Sequence, residues 1–192
     1  MSVSSYLFAY GLLLTSGVII LRLIVRRDYL RRGELSLVAA MLQALLFFAY
    51  GGFPYFYLPG DWPATHVNRF VHLFGLVAII VGLGGLFYGM IVLGLLPSIG
   101  RGRNRLAQSG IYRKSRNPQA LACGLYVLGF TVLWPSWYAL GWAILYAILI
   151  HIMIITEEEH LLRAHGEGYV KYGRDVPRYF SLRSWNSPET TI

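Results

Sequence analysis

Acidic residues are scarce in this 192-residue chain: nine Asp and Glu stand against 17 Lys and Arg, and charged residues make up only 14% of it. Cysteine occurs once, at Cys123, which excludes an intrachain disulfide and any cysteine-based zinc site. Cys123 lies in an apolar run and reads as a small buried residue, since a reactive thiol needs a polar, electropositive setting. No two histidines share a metal-ligand context, so no metal is expected. Short alternating segments of the kind a strand barrel needs are missing. So are internal repeats, low-complexity linkers and the interleaved basic and aromatic residues of an RNA-binding module. The net charge of +8 therefore does not point to nucleic acid. The first residues show neither a positive leading region nor a small-residue cleavage site, so the first apolar run is expected to be retained.

What fills the chain is apolar. Five stretches run from Ser5 to Val25, Leu35 to Leu58, Phe70 to Leu96, Pro118 to Trp134 and Trp137 to Thr156. About 20 apolar residues carry a helix across a hydrocarbon core of ~30 Å, and backbone groups in lipid must bond within their own segment. The expected fold class is therefore all-α: a polytopic membrane bundle of about five transmembrane helices with a cytoplasmic C-terminal segment. The fourth stretch is short. It ends at Trp134-Pro135-Ser136-Trp137 and forms a tight helical hairpin with the fifth.

The basic residues divide unevenly among the connections. Arg22, Arg26, Arg27, Arg31 and Arg32 follow the first stretch, Arg22 close enough to snorkel to the same side. Arg101, Arg103, Arg105, Arg113, Lys114 and Arg116 follow the third, and Arg163, Lys171, Arg174, Arg178 and Arg183 the fifth, leaving only Arg69 opposite. The positive-inside rule makes the richer side cytoplasmic. The N-terminus is then outside and the C-terminus inside, as an odd number of spans requires. The arginines meet anionic headgroups there. The expected location is a multi-pass integral protein of a prokaryotic plasma membrane, with membrane lipids as partners and no nucleic acid. The oligomeric state is not readable.

Residues 1–67 carry the first two helices, nearly free of polar side chains within the membrane. Residues 68–192 form the informative core of helices three to five and the tail. The third stretch is glycine-rich (Gly75, Gly82, Gly84, Gly85, Gly89, Gly94), which suits close helix packing. The fifth helix is expected to continue to about His165 and then break, with Gly166, Gly168 and Gly173 interrupting any further helix. Leu161, Leu162, Tyr169, Tyr172, Val176, Tyr179 and Phe180 give the tail apolar groups to pack on the helix ends or lie at the interface.

Two polar clusters fall on the basic side. In the first, from Ser109 to Pro118, Asn117-Pro118 reads as an N-cap and first helical residue. The same geometry offers free N–H groups to an anion, and Arg113 and Arg116 strengthen it. The second is Glu157-Glu158-Glu159-His160. Successive helical residues diverge by about 100°, so three adjacent acids cannot all face solvent, and at least one must turn toward the bundle or a cation.

From Ser109 to Phe180, about 70 residues, the chain resembles the superfamily of isoprenylcysteine carboxyl methyltransferases and phospholipid methyltransferases. The matching pieces, in order, are Gly110-Ile111-Tyr112, Arg116-Asn117-Pro118, Glu157-Glu158, then Leu161, Gly166, Tyr169 and Tyr172, and Val176-Pro177-Arg178. Asn117 stands where the family often has His, Ala120 where it has Tyr, and Ala122 where it has Gly. The resemblance implies S-adenosyl-L-methionine as methyl donor, bound at the cytoplasmic face, and a lipophilic small-molecule acceptor entering from the bilayer: an isoprenylcysteine-like carboxylate, a phospholipid amine or another hydrophobic molecule.

On that reading Arg116, Glu158 and Arg178 are the catalytic candidates. Tyr112, Arg116, Asn117, Pro118, Glu157, Glu158, Tyr169 and Tyr172 are the cofactor-binding candidates. Arg116 and the start of the fourth helix suit the donor's carboxylate, Glu158 or Glu157 its ammonium or ribose hydroxyls, and Tyr112, Tyr169 or Tyr172 its adenine. Arg178 suits a tie between tail and donor or an acidic acceptor. The donor is already activated, so alignment and exclusion of water suffice. An amine or hydroxyl acceptor also needs proton removal, for which His151, His160 and Glu159 are the nearest groups. His151 also reads as a buried, hydrogen-bonded histidine, while His66 and His72 lie at the opposite face. The alternatives are an NADPH-dependent sterol or enone reductase-like enzyme, whose relatives share a helical core but are longer, and a non-enzymatic membrane protein. A transporter would show broken mid-membrane helices or paired ionisable residues.

Overall fold

The computed structural model describes residues 2–56, 68–98, 100, 106 and 108–180. The end of the second stretch at Leu58, together with His66, Arg101, Arg103, Arg105 and Arg183, lies outside the described residues. Every regular element among the described residues is helical. Helices α1 (Val3–Val18) and α2 (Arg26–Arg32) are joined by a widened π-helical segment, Ile19–Val25, into one run. They are followed by α3 (Leu37–Gly52), α4 (Arg69–Leu93), the short α5 (Leu95–Ser98), α6 (Pro118–Leu133), α7 (Trp137–His165) and α8 (Glu167–Asp175).

Four segments are long and apolar enough to cross a membrane: Val3–Arg32, Leu37–Tyr55, Arg69–Leu93 and Trp137–His165. At 16 residues α6 spans only about 24 Å, less than a hydrocarbon core, so the expected fourth span is a short apolar helix packed along α4. The exposed surface is apolar, with Phe48 80% and Ile91 78% exposed; lipid, unlike water, puts no penalty on such a surface.

Helix boundaries follow local chemistry. The Oγ atoms of Ser36 and Ser136 accept from the amides of Ala39 and Ala139 at 3.2 and 3.1 Å and start α3 and α7. Arg26, Arg27, Arg31 and Arg32, expected in a loop, extend the first helix instead. Its last turn is closed by Gly33 at φ 74°, a left-handed conformation open to glycine. Asp28, buried there, accepts from the Ser36 amide at 3.1 Å and from the Ser36 hydroxyl, so one carboxylate fixes the turn between α2 and α3. α7 ends at His165, as expected, on Gly166 at φ 50°. Gly168 and Gly173 do not interrupt the tail: both lie within α8, one side of which packs Tyr169 and Tyr172 onto Leu161 of α7.

Two apolar cores hold the bundle. In one, Tyr50 of α3 and Trp142 of α7 stack at 5.1 Å and exchange hydrogen bonds to each other's carbonyls at 3.2 and 3.1 Å. In the other, Leu21, Val25 and Leu35 are fully buried against Ala39 and Met153 at the basic end. Between α4 and α6 contact is backbone to backbone. A Cβ on Gly82 would lie 2.6 Å from the Tyr126 nitrogen and 2.7 Å from the Ala122 oxygen, and one on Gly129 2.7 Å from the Gly75 oxygen. Gly84, on the outer side, has open space around it. Gly82→Ala and Gly129→Ala are therefore expected to destabilise the protein by about 1–3 kcal/mol through overpacking, whereas Gly84→Ala leaves thermal unfolding in detergent unchanged.

Candidate functional site

The basic end of the bundle holds a cleft between α3, α4, α6, α7 and α8, with roughly 770 Å³ of space including its open mouth. All eight cofactor-binding candidates named from the sequence lie on its wall: Tyr112, Arg116, Asn117, Pro118, Glu157, Glu158, Tyr169 and Tyr172. The basic turn before α6 and the acidic end of α7 thus meet in space.

The meeting is an ion-pair relay. Arg116 Nη1 lies 3.0 Å from Glu158 Oε1, with the two side chains only 14% and 13% exposed. Arg178 grips the same carboxylate with Nε, at 3.1 and 3.0 Å, and with Nη2 at 2.6 Å. Arg178 does not line the cleft; it acts on it through Glu158. This hydrogen bonding raises the Arg178 pKa above its already high value, so the cation is permanent. Arg116 Nη1 also donates to the Tyr169 hydroxyl at 3.1 Å, since a guanidinium can only donate; burial, and then the Glu158 charge, push the Tyr169 pKa up to about 12 against the pull of Arg116, so the phenol keeps its proton. Burial likewise raises Tyr172, whose hydroxyl donates to the Tyr112 carbonyl at 2.7 Å. One polar atom of the relay is left over: Arg116 Nε is buried without a hydrogen-bond partner.

The three adjacent acids separate as helix geometry demands. Glu157 is buried on the cleft wall at 8% exposure. Glu158 takes the two arginines just described. Glu159 turns to the first helix, where Arg22 Nη1 and Arg26 Nε meet it at 2.9 and 2.5 Å. Asn117 departs from expectation. It occupies the N-cap position of α6, but its side chain makes no capping bond. Instead Nδ2 donates to the Arg178 carbonyl at 3.0 Å, beside a bond from the Arg116 amide to the Pro177 carbonyl at 3.0 Å. Residues 176–178 are strapped across the turn by these bonds, and the first amides of α6 keep no side-chain cap.

The strap continues along α7. Tyr179 Oη is 2.5 Å from His151 Nδ1, and His151 lies seven residues, two turns, before Glu158 on the same side of the helix. His151 is therefore hydrogen-bonded, but exposed where a buried side chain was expected. His160 is buried and stacked on Tyr29 at 4.6 Å. None of the three sequence-named bases, His151, Glu159 and His160, lines the cleft. The sequence reading also missed Gln43 of α3, Gln119 of α6 and Met153 of α7, all on the wall. Gln43 carried a signal, as the lone amide of its apolar stretch. Gln119, whose Nε2 donates to Ser98 Oγ at 3.1 Å, carried none.

Comparison with known proteins bears on the same region. A family model described as phospholipid methyltransferase matches residues 70–168. A phosphatidylethanolamine N-methyltransferase of Lodderomyces elongisporus is 30% identical over 104 residues, 53% of this chain and 11% of that protein, so the chain spans about a tenth of that relative's length. No solved structure matches.

Glu158→Gln leaves two guanidinium groups without their counter-charge. It is expected to cost about 3–5 kcal/mol and to speed amide hydrogen exchange over 176–180. Glu159→Gln breaks a half-exposed pair worth about 0.2–1 kcal/mol and should leave that exchange unchanged.

Proposed function

Because the chain belongs to the phospholipid methyltransferase family, we propose that it transfers a methyl group from S-adenosyl-L-methionine to the amine headgroup of a membrane phospholipid, at the cytoplasmic end of the bundle. The observation that carries this reading is Arg116: held by Glu158 and Tyr169, it keeps a buried Nε–H unused on the wall of the cleft. An unsatisfied buried donor costs about 1–3 kcal/mol, and an anionic ligand oxygen repays it.

The other wall residues fit the same ligand. Arg116 Nε, with the uncapped first turn of α6 after Asn117-Pro118, suits a carboxylate. Glu157 presents a buried acid for an ammonium or ribose hydroxyls. Tyr112, Tyr169 and Tyr172 give buried ring surface for a flat base. When bound, the donor supplies a methyl carbon on a sulfonium sulfur: it passes to a neutral amine nitrogen as the C–S electron pair returns to sulfur, leaving a thioether and a methylammonium whose proton goes to solvent. The chain's part is to orient and to exclude water. Arg178 is a positioning residue in this scheme, because it holds Glu158 and, through its carbonyl, Asn117.

Titration of the detergent-solubilised protein with S-adenosylhomocysteine should show binding, and NADPH should not bind. Arg116→Lys removes Nε and the planar fork and is expected to weaken S-adenosylhomocysteine roughly ten-fold or more. Binding of NADPH alone would favour a reductase, and an Arg116→Lys protein with unchanged affinity would remove Arg116 from the donor site.

A further inference from the structure

Gln43 lies outside the family-matched region, in α3, seven residues past the Ser36 cap and so about 10 Å into the helix. It lines the cleft. Its Nε2 donates to Met153 Sδ at 3.7 Å, and its Oε1 is buried with no hydrogen-bond partner. Thioether sulfur is a weak acceptor, and turning the carboxamide over would set its oxygen against that sulfur, acceptor to acceptor. The carbonyl is thus the end that stays unsatisfied. An amide at this depth is costly, and one weak bond to sulfur does not account for it as a link between helices.

Position separates this atom from the donor groups. Met153 precedes Glu157 by four residues, one turn, so Gln43 sits about 5 Å deeper along α7 than the acid. Beside it stands the apolar Met153, whereas Arg116, Glu158, Tyr169 and Tyr172 form a polar part of the same wall. The soft terminal torsion of glutamine lets the carbonyl turn toward a ligand without a rotamer change.

We infer that Gln43 is a specificity-determining residue of the acceptor site, its carbonyl oxygen accepting an N–H from the amine about to be methylated. This deepens the function proposed above and rests on it. An amide oxygen accepts a hydrogen bond without taking the proton; a charged ammonium is the stronger donor to it, so the contact does not select the protonation state, and its part is to fix the axis of the nitrogen lone pair once the amine is neutral. A neutral primary or monomethyl amine has an N–H to give. A neutral dimethyl amine has none, so the third transfer to one headgroup lacks this contact.

The test uses the full chain in lipid nanodiscs, with lipids bearing ethanolamine, N-methylethanolamine and N,N-dimethylethanolamine headgroups, and compares wild type with Gln43→Leu and with the unbranched Gln43→Met. Both variants should raise KM for the first two lipids roughly ten-fold, the worth of one buried hydrogen bond, and leave KM for the dimethyl lipid within two-fold. S-adenosylhomocysteine affinity should stay within two-fold. The ligand-free variants should melt no lower than wild type, because they remove an unsatisfied polar group. KM changes equal across the three lipids, or none, overturn the inference alone, as does a loss of S-adenosylhomocysteine affinity, which assigns Gln43 to the donor. A wild-type protein that binds S-adenosylhomocysteine but methylates none of the three lipids overturns the acceptor assignment on which the inference stands.

Discussion

One buried carboxylate organises the basic end of this protein. Glu158 is gripped by Arg116 from the turn before α6 and by Arg178 from the tail. Two stretches distant in sequence are thereby fixed to the end of α7. A single ion pair removed from water tends to lose as much in desolvation as it gains in attraction. Two guanidinium groups on one carboxylate shift that balance, and the extra bonds from Arg116 to Tyr169 and from Asn117 to the Arg178 carbonyl satisfy most of what remains. What they leave is Arg116 Nε, buried without a partner in a residue of the cleft wall.

The same constraint explains why the tail folds at all. A nine-residue helix has little stability of its own. α8 is held because Tyr169 and Tyr172 pack on Leu161 and because the strap after it closes on the turn before α6. Gly173 contributes by being small: a Cβ there would lie 3.3 Å from Arg116 Nη1. The mouth of the cleft is therefore a product of the strap, and its order depends on charges that are themselves buried by it.

Much of this was legible in the chain. Apolar run length gave the helices of the bundle, and Gly166 marked the end of α7. The convergence of Arg116 with Glu158 followed from a helical hairpin returning the chain to its own side. Other features were not legible, for identifiable reasons. Arg26 to Arg32 read as a loop because charge was taken for a boundary, whereas Asp28 and Gly33 close a helical turn there. Gly168 and Gly173 read as helix breakers because propensity is weak against packing. Asn117 read as a cap because position alone does not reveal that the Arg178 carbonyl, 61 residues on, outcompetes a local amide. The failure to place a base among His151, His160 and Glu159 has the same origin. Nearness to the helix end was visible, but the partners that turn each away from the cleft, Tyr179, Tyr29 and the Arg22–Arg26 pair, belong to other elements.

The two orphaned atoms on the cleft wall differ in polarity and in depth. Arg116 Nε is a donor beside the Glu158 ion pair, and Gln43 Oε1 is an acceptor on a side chain bonded to Met153, one turn before Glu157. Each lowers the stability of the empty protein, since a buried polar atom without a hydrogen bond is costly. A helix surface evolved only for packing would have shed them, since an apolar residue of similar shape is better accommodated at such sites. Their retention is economical if two ligands meet in the cleft, one anionic at its near edge and one carrying an N–H at its floor. The reacting atoms then lie between a headgroup approaching from the bilayer and a nucleoside approaching from water.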